Sequence, residues 1–452
     1  MEPEQEYDRR KVSNVYYIGA RKNLNLTKSS LDNHKESKTK NNFVKNSYHK
    51  LDLIEDYIQD NLPNVPLYCL RPESLEKSVN FFTKNFVSKK NPTAILYSVK
   101  SNPDAKVLKY LYQFGIRHFD VASLAEIKLI HELFGNDAKM YFMHPIKSKE
   151  SIKQAYFDYG IRDFSLDSFD ELDKILENTN HAKDLGLHLR LSIPNSHSAI
   201  DLSGKFGILP TESCGIIRKI RASAKNFGIC FHVGSQCMDP IEYRNAIMIT
   251  KDVLDNAKVK IDVIDVGGGF PSIYPGMTPP NLQNYFHEIF DALNHLDLSN
   301  KCQIWCEPGR ALVAESASLV VRVEGRKNQM LYINDGTYGG LFDAGYPGFI
   351  YHCKAIRINK KKSLSNTMSS FGFYGPTCDS LDVMKGPFYL PEDIDIGDYI
   401  EIAQLGAYSK SIRTEFNGFN LNLQIEVKDK PLESLYNSVE LNAKQKNIKH
   451  LK

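Results

Sequence analysis

Short apolar runs recur through the middle of the chain, separated by stretches in which apolar residues return every three or four positions. The runs cover residues 94–99, 118–122, 140–144, 163–166, 187–193, 229–233, 263–266 and 303–306. Each has strand length and little polar alternation, the pattern of a strand covered on both faces. The stretches between them, such as 103–112, 124–134 and 169–177, carry the period of an amphipathic helix. Eight strand–helix units over about 200 residues have the size of a (β/α)8 barrel. An open, doubly wound sheet shares the same alternation. The ends of the runs separate the two: they read Lys100, Asp120, His144, Asp167, Arg190, His232, Gly267-Gly268-Gly269 and Glu307. Reactive groups at the ends of so many strands favour a barrel, because an open sheet gathers its ligand contacts at one switch point.

The flanks differ in texture. Residues 1–50 are polar and lack a hydrophobic period, apart from a short ordered piece expected at 15–18. Leu51, Ile54, Tyr57 and Ile58 share one helical face, and 66–70 reads as a strand after Pro63 and Pro66. Beyond Arg310, β-rich runs at 312–323, 330–333, 348–358, 399–402 and 418–427 are broken by Gly, Pro, Asn and Asp, and the polar tail after Lys428 is compatible with a terminal helix. The expected organisation is a flexible basic extension at 1–50, a barrel at 73–310, and a discontinuous, mostly β domain built from 51–72 and 311–452.

Composition removes several classes. With 452 residues, 42% hydrophobic and 25% charged, the chain is of globular type, and no run is apolar enough to span a bilayer. The N-terminus has no apolar stretch followed by a small-residue cleavage site. The 8 cysteines form no CxxC pair and no zinc spacing, so reduced thiols in a cytoplasm and no metal are expected. The net charge is +3, and residues 1–50 alone hold 11 Lys/Arg against 6 Asp/Glu, +5, which leaves −2 for the remainder. The body therefore has no basic field for nucleic acid.

Candidate chemistry sits at the strand ends. Lys100 closes an apolar run, where a lysine is costly unless it leaves the barrel at a mouth or enters into bonding. Consecutive glycines at 267–269 let backbone N–H groups approach an anion, and Gly309-Arg310 after the next run adds an amide and a charge. The loops after the last two strands of a barrel frequently hold a phosphate. Glu307 suits a ring nitrogen and His232 offers a flat face. Alone, each has an ordinary explanation as a salt-bridge member or a core histidine. Together they match pyridoxal 5′-phosphate: an amine for its aldehyde, a cradle for its phosphate, an acid for its pyridine and a neighbour for its ring.

At these residues the chain resembles a known family. Tyr97-Ser98-Val99-Lys100, Phe231-His232-Val233-Gly234-Ser235-Gln236, Asp265-Val266-Gly267-Gly268-Gly269-Phe270, Glu307-Pro308-Gly309-Arg310, the 375–382 run Gly-Pro-Thr-Cys-Asp-Ser-Leu-Asp, Gly406-Ala407-Tyr408 and Phe416-Asn417-Gly418-Phe419 are similar to motifs of the ornithine/lysine/diaminopimelate/arginine decarboxylases of the alanine-racemase-like fold type. The likeness runs from about residue 51 to about residue 419, with bacterial ornithine or lysine enzymes nearest in look. It implies a pyridoxal phosphate barrel acting as a homodimer in polyamine synthesis. Lys100 would carry the cofactor, Glu307 would keep the pyridine nitrogen protonated and His232 would stack on the ring. Ser235, Gly268, Gly269, Gly309, Arg310 and Tyr408 would bind phosphate, and Asp120 and Arg190 would sit near Lys100 and the ring, with Glu126 behind. Cys378 and Asp379 would reach in from the other subunit, Cys378 to guide protonation and Asp379 to meet a cationic side chain. Asp343 is the candidate for a second substrate carboxylate, and Lys205 would bridge across the dimer to Asp382.

The resemblance narrows the substrate without selecting one. Cys378-Asp379-Ser380-Leu381-Asp382 differs from the Cys-Glu-Ser-Gly-Asp run that diaminopimelate enzymes tend to show. Ornithine and lysine differ by one methylene, a small basis for discrimination. Arginine or diaminopimelate decarboxylation, and a non-catalytic regulatory homologue, are the remaining alternatives.

Overall fold

The computed structural model describes residues 53–194, 198–200, 204–358 and 363–436, all within one compact unit. The extension at 1–50 and the ordered piece expected at 15–18 lie outside the described residues. So does most of the tail proposed as a terminal helix, and its described part, 428–436, is not helical.

Helix α1 (Ile54–Asn61) and strand β1 (Leu67–Leu70) come first, then α2 (Pro72–Asn85), which Pro72 opens at a position where its missing N–H costs nothing. The next strands are β2 (Thr93–Ser98), β3 (His118–Val121), β4 (Lys139–Phe142), β5 (Asp163–Leu166), β6 (Gly186–Arg190), β7 (Asn226–Cys230), β8 (Val263–Asp265) and β9 (Gln303–Cys306). They form a closed barrel, β8 pairing with both β7 and β9, and β9 closing onto β2. All neighbours are parallel, and the closure of β9 onto β2 excludes the open sheet. Helices α3 (Ala105–Gln113), α4 (Leu124–Phe134), α5 (Lys149–Phe157), α6 (Phe169–Asn178), α7 (Ser213–Ser223), α8 (Ile241–Ala257) and α9 (Leu282–Leu293) alternate with these strands.

Local chemistry starts several of these helices just past the strands. The side chains of Asp104, Ser123, Ser148 and Ser168 accept from the first free N–H groups of α3, α4, α5 and α6. In Ser123-x-x-Glu126 the glutamate folds back, Oε2 taking the Ala122 N–H at 2.7 Å, close to a capping box. Glu126 is thereby tied to its own helix start.

The second sheet has eight strands. The path runs β12 (Cys353–Ile356), β15 (Tyr399–Ile402), β10 (Ala317–Lys327), β11 (Met330–Ile333), β13 (Met368–Tyr374), β14 (Val383–Pro391), while β1 joins β10 antiparallel and β16 (Leu423–Glu426) joins β1. The strand at 66–70 thus belongs to this sheet, far along the chain from its partners. Two differences from the expected runs are clear. Residues 312–316, expected at the start of a strand, lie in short helical turns, because a brief apolar run has no period to tell the two apart. Strands β13 and β14 were not expected, since Ser, Gly and Gly386-Pro387 interrupt their pattern, and the pair accommodates them with a register shift between Phe371 and Phe373.

Arg71 joins the two chain segments of this second domain. Its buried guanidinium lies 2.6 Å from Glu401 Oε1 on β15 and 3.0 Å from Asp429, and donates to Ser318 Oγ on β10 at 2.8 Å. Removing one member leaves the others charged and buried. We expect Arg71→Met to lose about 3 kcal/mol of stability in urea melts, and Arg71→Met/Glu401→Met to recover most of that loss.

Candidate active site

Strand ends and loops at the C-terminal side of the barrel bring the first group together. Lys100 stands on the 3-10 turn Val99–Ser101 after β2, its side chain 46% exposed at the mouth. Its Nζ lies 2.9 Å from Asp120 Oδ2, and the same oxygen accepts from Ser98 Oγ at 2.7 Å. Burial opposes the charge of Lys100, but Asp120, Glu307 and Tyr408 outweigh it and hold the ammonium above its ordinary pKa.

Glu307, past the end of β9, stands beside Asp265, the last residue of β8. Burial, then Asp265 and Asp120, push Glu307 well above the carboxylate range, with Lys100 and Arg190 offsetting part of this. Burial raises Asp265 to about 6 although it accepts the Gly267 N–H at 2.8 Å, and its Oδ2 is buried without a hydrogen-bond donor. Two such carboxylates hold a shared proton until a cationic or N–H-bearing ligand arrives. His232 is held neutral by burial, Arg190 and Lys100, and its Nδ1 accepts the Gly234 N–H at 3.0 Å. The remaining nitrogen, Nε2, carries the proton of the neutral ring.

The glycine loop lies directly on these groups. A Cβ on Gly267 (φ 70°) would fall 1.9 Å from Phe231 O, and one on Gly268 would fall 2.8 Å from Glu307 O and 2.9 Å from His232 Nε2. Only glycines let this loop close over the site. Gly309 passes close to Ser101 and precedes Arg310, while Ser235 opens a short strand, Ser235–Cys237, beyond His232. Arg310 is buried, donates to Tyr274 OH at 2.9 Å and to Asp343 Oδ2 at 3.1 Å, packs on Tyr408 at 4.9 Å, and keeps Nε without a partner. Tyr408 comes from the second domain. Its backbone is left-handed (φ 58°), a strained conformation for tyrosine, and its N–H donates to Ser101 O at 2.8 Å.

The expected residues divide into two groups. Lys100, Asp120, Arg190, His232, Gly268, Gly269, Glu307, Gly309, Arg310 and Tyr408 gather around the mouth. Cys378 and Asp379 lie on the loop between β13 and β14, and among the described residues neither bonds to a barrel side chain. The Cys378 N–H donates to Asn417 Oδ1 at 3.1 Å, and its side chain is exposed. Asp379 accepts from Tyr338 OH and from the Leu381 N–H, and the hydrogen bond from Tyr338 leads in holding its pKa low. Asp382 is buried, with Thr337 and Thr377 each donating both backbone N–H and hydroxyl to it within the same chain. Asp343, expected toward the substrate, belongs to the Arg310 corner, because the helical turn Phe342–Gly345 carries it there. His144 and Asp167 hold a neighbouring loop: Asp167 accepts the Gly207 N–H at 2.9 Å and His144 meets the Phe206 ring edge-on.

Asp265, Ser98 and Tyr274 were not singled out from the sequence. Asp265 had a signal, a carboxylate ending a buried strand next to the strand that ends at Glu307. Tyr274 had none, since only the fold brings it to Arg310.

The mouth fits pyridoxal 5′-phosphate. It offers a reachable amine, a backbone cradle that any Cβ would fill, a buried guanidinium with a spare N–H, and a carboxylate pair in which the buried Asp265 Oδ2 lacks a donor. A parallel barrel with this constellation defines a pyridoxal phosphate enzyme site. The chain belongs to the pyridoxal-dependent decarboxylases: residues 73–314 match the family model of their pyridoxal-binding domain. It is 33% identical over 349 residues to a lysine/ornithine decarboxylase of Selenomonas ruminantium, covering 75% of this chain and 84% of that one. It is 32% identical over 360 residues to antizyme inhibitor 2 of Xenopus laevis, covering 72% and 73%. The crystal structure of lysine/ornithine decarboxylase from Vibrio vulnificus complexed with cadaverine superposes with a TM-score of 0.70 at 26% identity, covering 83% and 98%.

Both carboxyls of the Asp265–Glu307 pair titrate higher in the folded protein than in the unfolded chain. Their protonated forms therefore support the fold fully below about pH 4, and that support is lost as pH rises through about 6 and beyond. We expect Glu307→Gln to make the cofactor-free protein more stable at alkaline pH, by about 2 kcal/mol in urea melts, while weakening uptake of pyridoxal 5′-phosphate.

Proposed function

We propose that the protein decarboxylates a basic L-amino acid, ornithine to putrescine and/or lysine to cadaverine, as a step in polyamine synthesis. The observation that carries this is the exposed Lys100 amine held by Asp120 at a mouth whose floor is the Asp265–Glu307 pair. The relatives named above as lysine/ornithine decarboxylases support the substrate class.

Pyridoxal phosphate, bonded through its aldehyde to an amine, withdraws the electron pair left when a carboxyl group departs as CO2. The chain's residues prepare that chemistry. Asp120 and Ser98 hold the Lys100 amine at the mouth, where an incoming amine can exchange with it. Glu307 holds a proton on the ring nitrogen, which makes the ring a stronger electron acceptor. His232, uncharged, lies against the ring without repelling that proton. The glycine loop, Ser235, Gly309, Arg310 and Tyr408 bind the phosphate and orient the ring.

Cys378 and Asp379 act from a second copy of the chain. In support, neither bonds to a barrel side chain among the described residues, and the segments around them expose Leu381, Phe416, Phe419 and Leu421, an apolar surface suited to burial in a homodimer. Cys378 of the partner subunit then delivers a proton to the α-carbon that lost CO2. Asp379 of the partner subunit, kept ionised by Tyr338, receives the distal ammonium of the substrate. A single carboxylate at that position fits a diamino acid better than diaminopimelate, which carries a second carboxylate. All described cysteines are free thiols, and among the described residues no helix is long and apolar enough to cross a membrane, in keeping with a cytoplasmic enzyme. A relative named as an antizyme inhibitor favours weighing a non-catalytic role, yet Lys100, Glu307, Arg310, Cys378 and Asp379 are all present here.

The purified protein is expected to be yellow with pyridoxal phosphate and Lys100→Ala to be colourless under the same conditions. Rates of CO2 release from ornithine, lysine, arginine and diaminopimelate, measured side by side, should be highest for ornithine or lysine. No release from any of them would refute the proposal. Lys100→Ala and Cys378→Ala, each nearly inactive, should regain about a quarter of wild-type activity when mixed, because half of the dimers are then mixed and each holds one intact site. No recovery despite demonstrated subunit exchange would exclude a shared site.

A further inference from the structure

Strands β11 and β15 are followed by two polar segments that lie against each other, 335–340 and 406–417. Arg413, on the second, is buried and ion-paired to the buried Asp335 on the first. Asp335 Oδ1 also accepts the Gly336 and Gly340 N–H groups, at 2.8 and 2.9 Å. Glycines make the room. A Cβ on Gly339 would fall 1.6 Å from Asp335 Oδ1, and one on Gly340 would fall 2.6 Å from Ser409 Oγ and 3.3 Å from Arg413 Nη2. Arg413 Nε and Nη1 are buried without a hydrogen-bond partner among the described residues. A buried pair with part of its guanidinium unmatched adds little net stability, since both charges have lost their water. It does fix how far apart the two segments lie.

The 406–417 segment has two anchorages. Its first half is held by the barrel mouth. Gly406 O accepts from Asn102 Nδ2 at 2.7 Å, the Tyr408 N–H donates to Ser101 O at 2.8 Å, and Lys410 Nζ lies 2.5 Å from Asp104, which caps α3. Its second half is held by the 335–340 turn. Beside Arg413, the Thr414 N–H and hydroxyl both donate to Tyr338 O, at 2.9 and 3.1 Å, and the Phe416 ring packs 4.9 Å from the Tyr338 ring. From there two bonds lead to the loop between β13 and β14. Tyr338 OH donates to Asp379, and Asn417 Oδ1 accepts the Cys378 N–H at 3.1 Å. Cys378 and Asp379 are thus each bonded to one of the two segments that Arg413 and Asp335 hold together.

We propose that Arg413 and Asp335 are positioning residues for the groups this chain presents to its partner. They set the spacing of the 335–340 turn and the 406–417 segment, and through Tyr338 and Asn417 the placement of Asp379 and Cys378 in the other subunit's site. This rests on the shared site proposed above. Without Arg413 the anchors around Tyr408 remain, because Asn102, Ser101 and Asp104 belong to the barrel. The phosphate end of the chain's own site is therefore spared. What loosens is the support of Tyr338 and Asn417. The loss is felt at the site whose Lys100 belongs to the other subunit, since a proton donor and an acceptor for an ammonium work only at their proper distances.

The test assays mixed dimers of full-length chains, loaded with pyridoxal 5′-phosphate and purified through a different affinity tag on each chain. Lys100→Ala chains supply Cys378 and Asp379, Cys378→Ala chains supply Lys100, and each mixed dimer holds one intact site. Arg413→Met is placed on one chain or the other. On the Lys100→Ala chain it should lower kcat/KM for the better of ornithine and lysine about tenfold, and on the Cys378→Ala chain by less than about twofold. Equal loss in the two placements means that the pair only supports the fold, and greater loss on the Cys378→Ala chain means that it serves the phosphate end. Either result overturns the proposal, as does no loss in either placement. If Arg413→Met chains do not form dimers, Arg413→Gln, which keeps an N–H for Asp335, is placed in the same two ways and must show the same asymmetry. Mixed dimers that are inactive even with Arg413 intact refute the shared site itself, and the proposal with it. Active ones without the asymmetry refute the proposal alone.

Discussion

Two buried carboxylates, Glu307 and Asp265, stand side by side at the end of neighbouring strands, and much of the mouth is arranged around that repulsion. Lys100 and Arg190 supply positive charge from across the barrel, while the Gly267 N–H is donated to Asp265. Left alone, the pair retains a proton that water would not leave on either acid. On the proposed reading, a ring that brings its own N–H would relieve that repulsion, so that binding and charge relief would be one event.

The second domain completes the mouth from above. Asn102, just beyond Lys100, donates to Gly406 O at 2.7 Å, and the Tyr408 N–H donates to Ser101 O. The loop of the second domain and the turn bearing Lys100 therefore hold each other in place. Arg71 ties the first strand of that domain to β15 and to Asp429, so the discontinuous chain path is locked where it crosses. The left-handed Tyr408 is sustained by these bonds and by the packing of Arg310 against its ring.

The loop carrying Cys378 and Asp379 obeys a different logic. Asp382 anchors it from within through Thr337 and Thr377, and Tyr338 keeps Asp379 ionised. Anchored in this way, the loop leaves Cys378 exposed, and neither it nor Asp379 bonds to a barrel side chain among the described residues. The homodimer proposed above would give those groups a site, and the exposed Leu381 and Phe416 would give it an apolar contact.

Much of this was legible in the order of residues. Alternating periods of strand and helix specify parallel strands covered on both faces, and the reactive groups at so many strand ends favour a barrel over an open sheet. The placement of Lys100, His232, the three glycines, Glu307 and Arg310 at strand ends specifies the cofactor chemistry, because a parallel barrel gathers all such ends on one side. Other features were not legible. β13 and β14 hide behind Gly386-Pro387, a local turn signal that sheet pairing overrides. Asp343 joins Arg310, and Tyr274 reaches the same guanidinium, only because segments distant in sequence pack there. The pairing of Arg413 with Asp335 also escapes a linear reading, since an arginine in a polar loop resembles any other until two segments distant in sequence meet. Periodicity reports which face of an element is buried. Which charges meet on that buried face depends on register and closure, and these are properties of the folded chain alone.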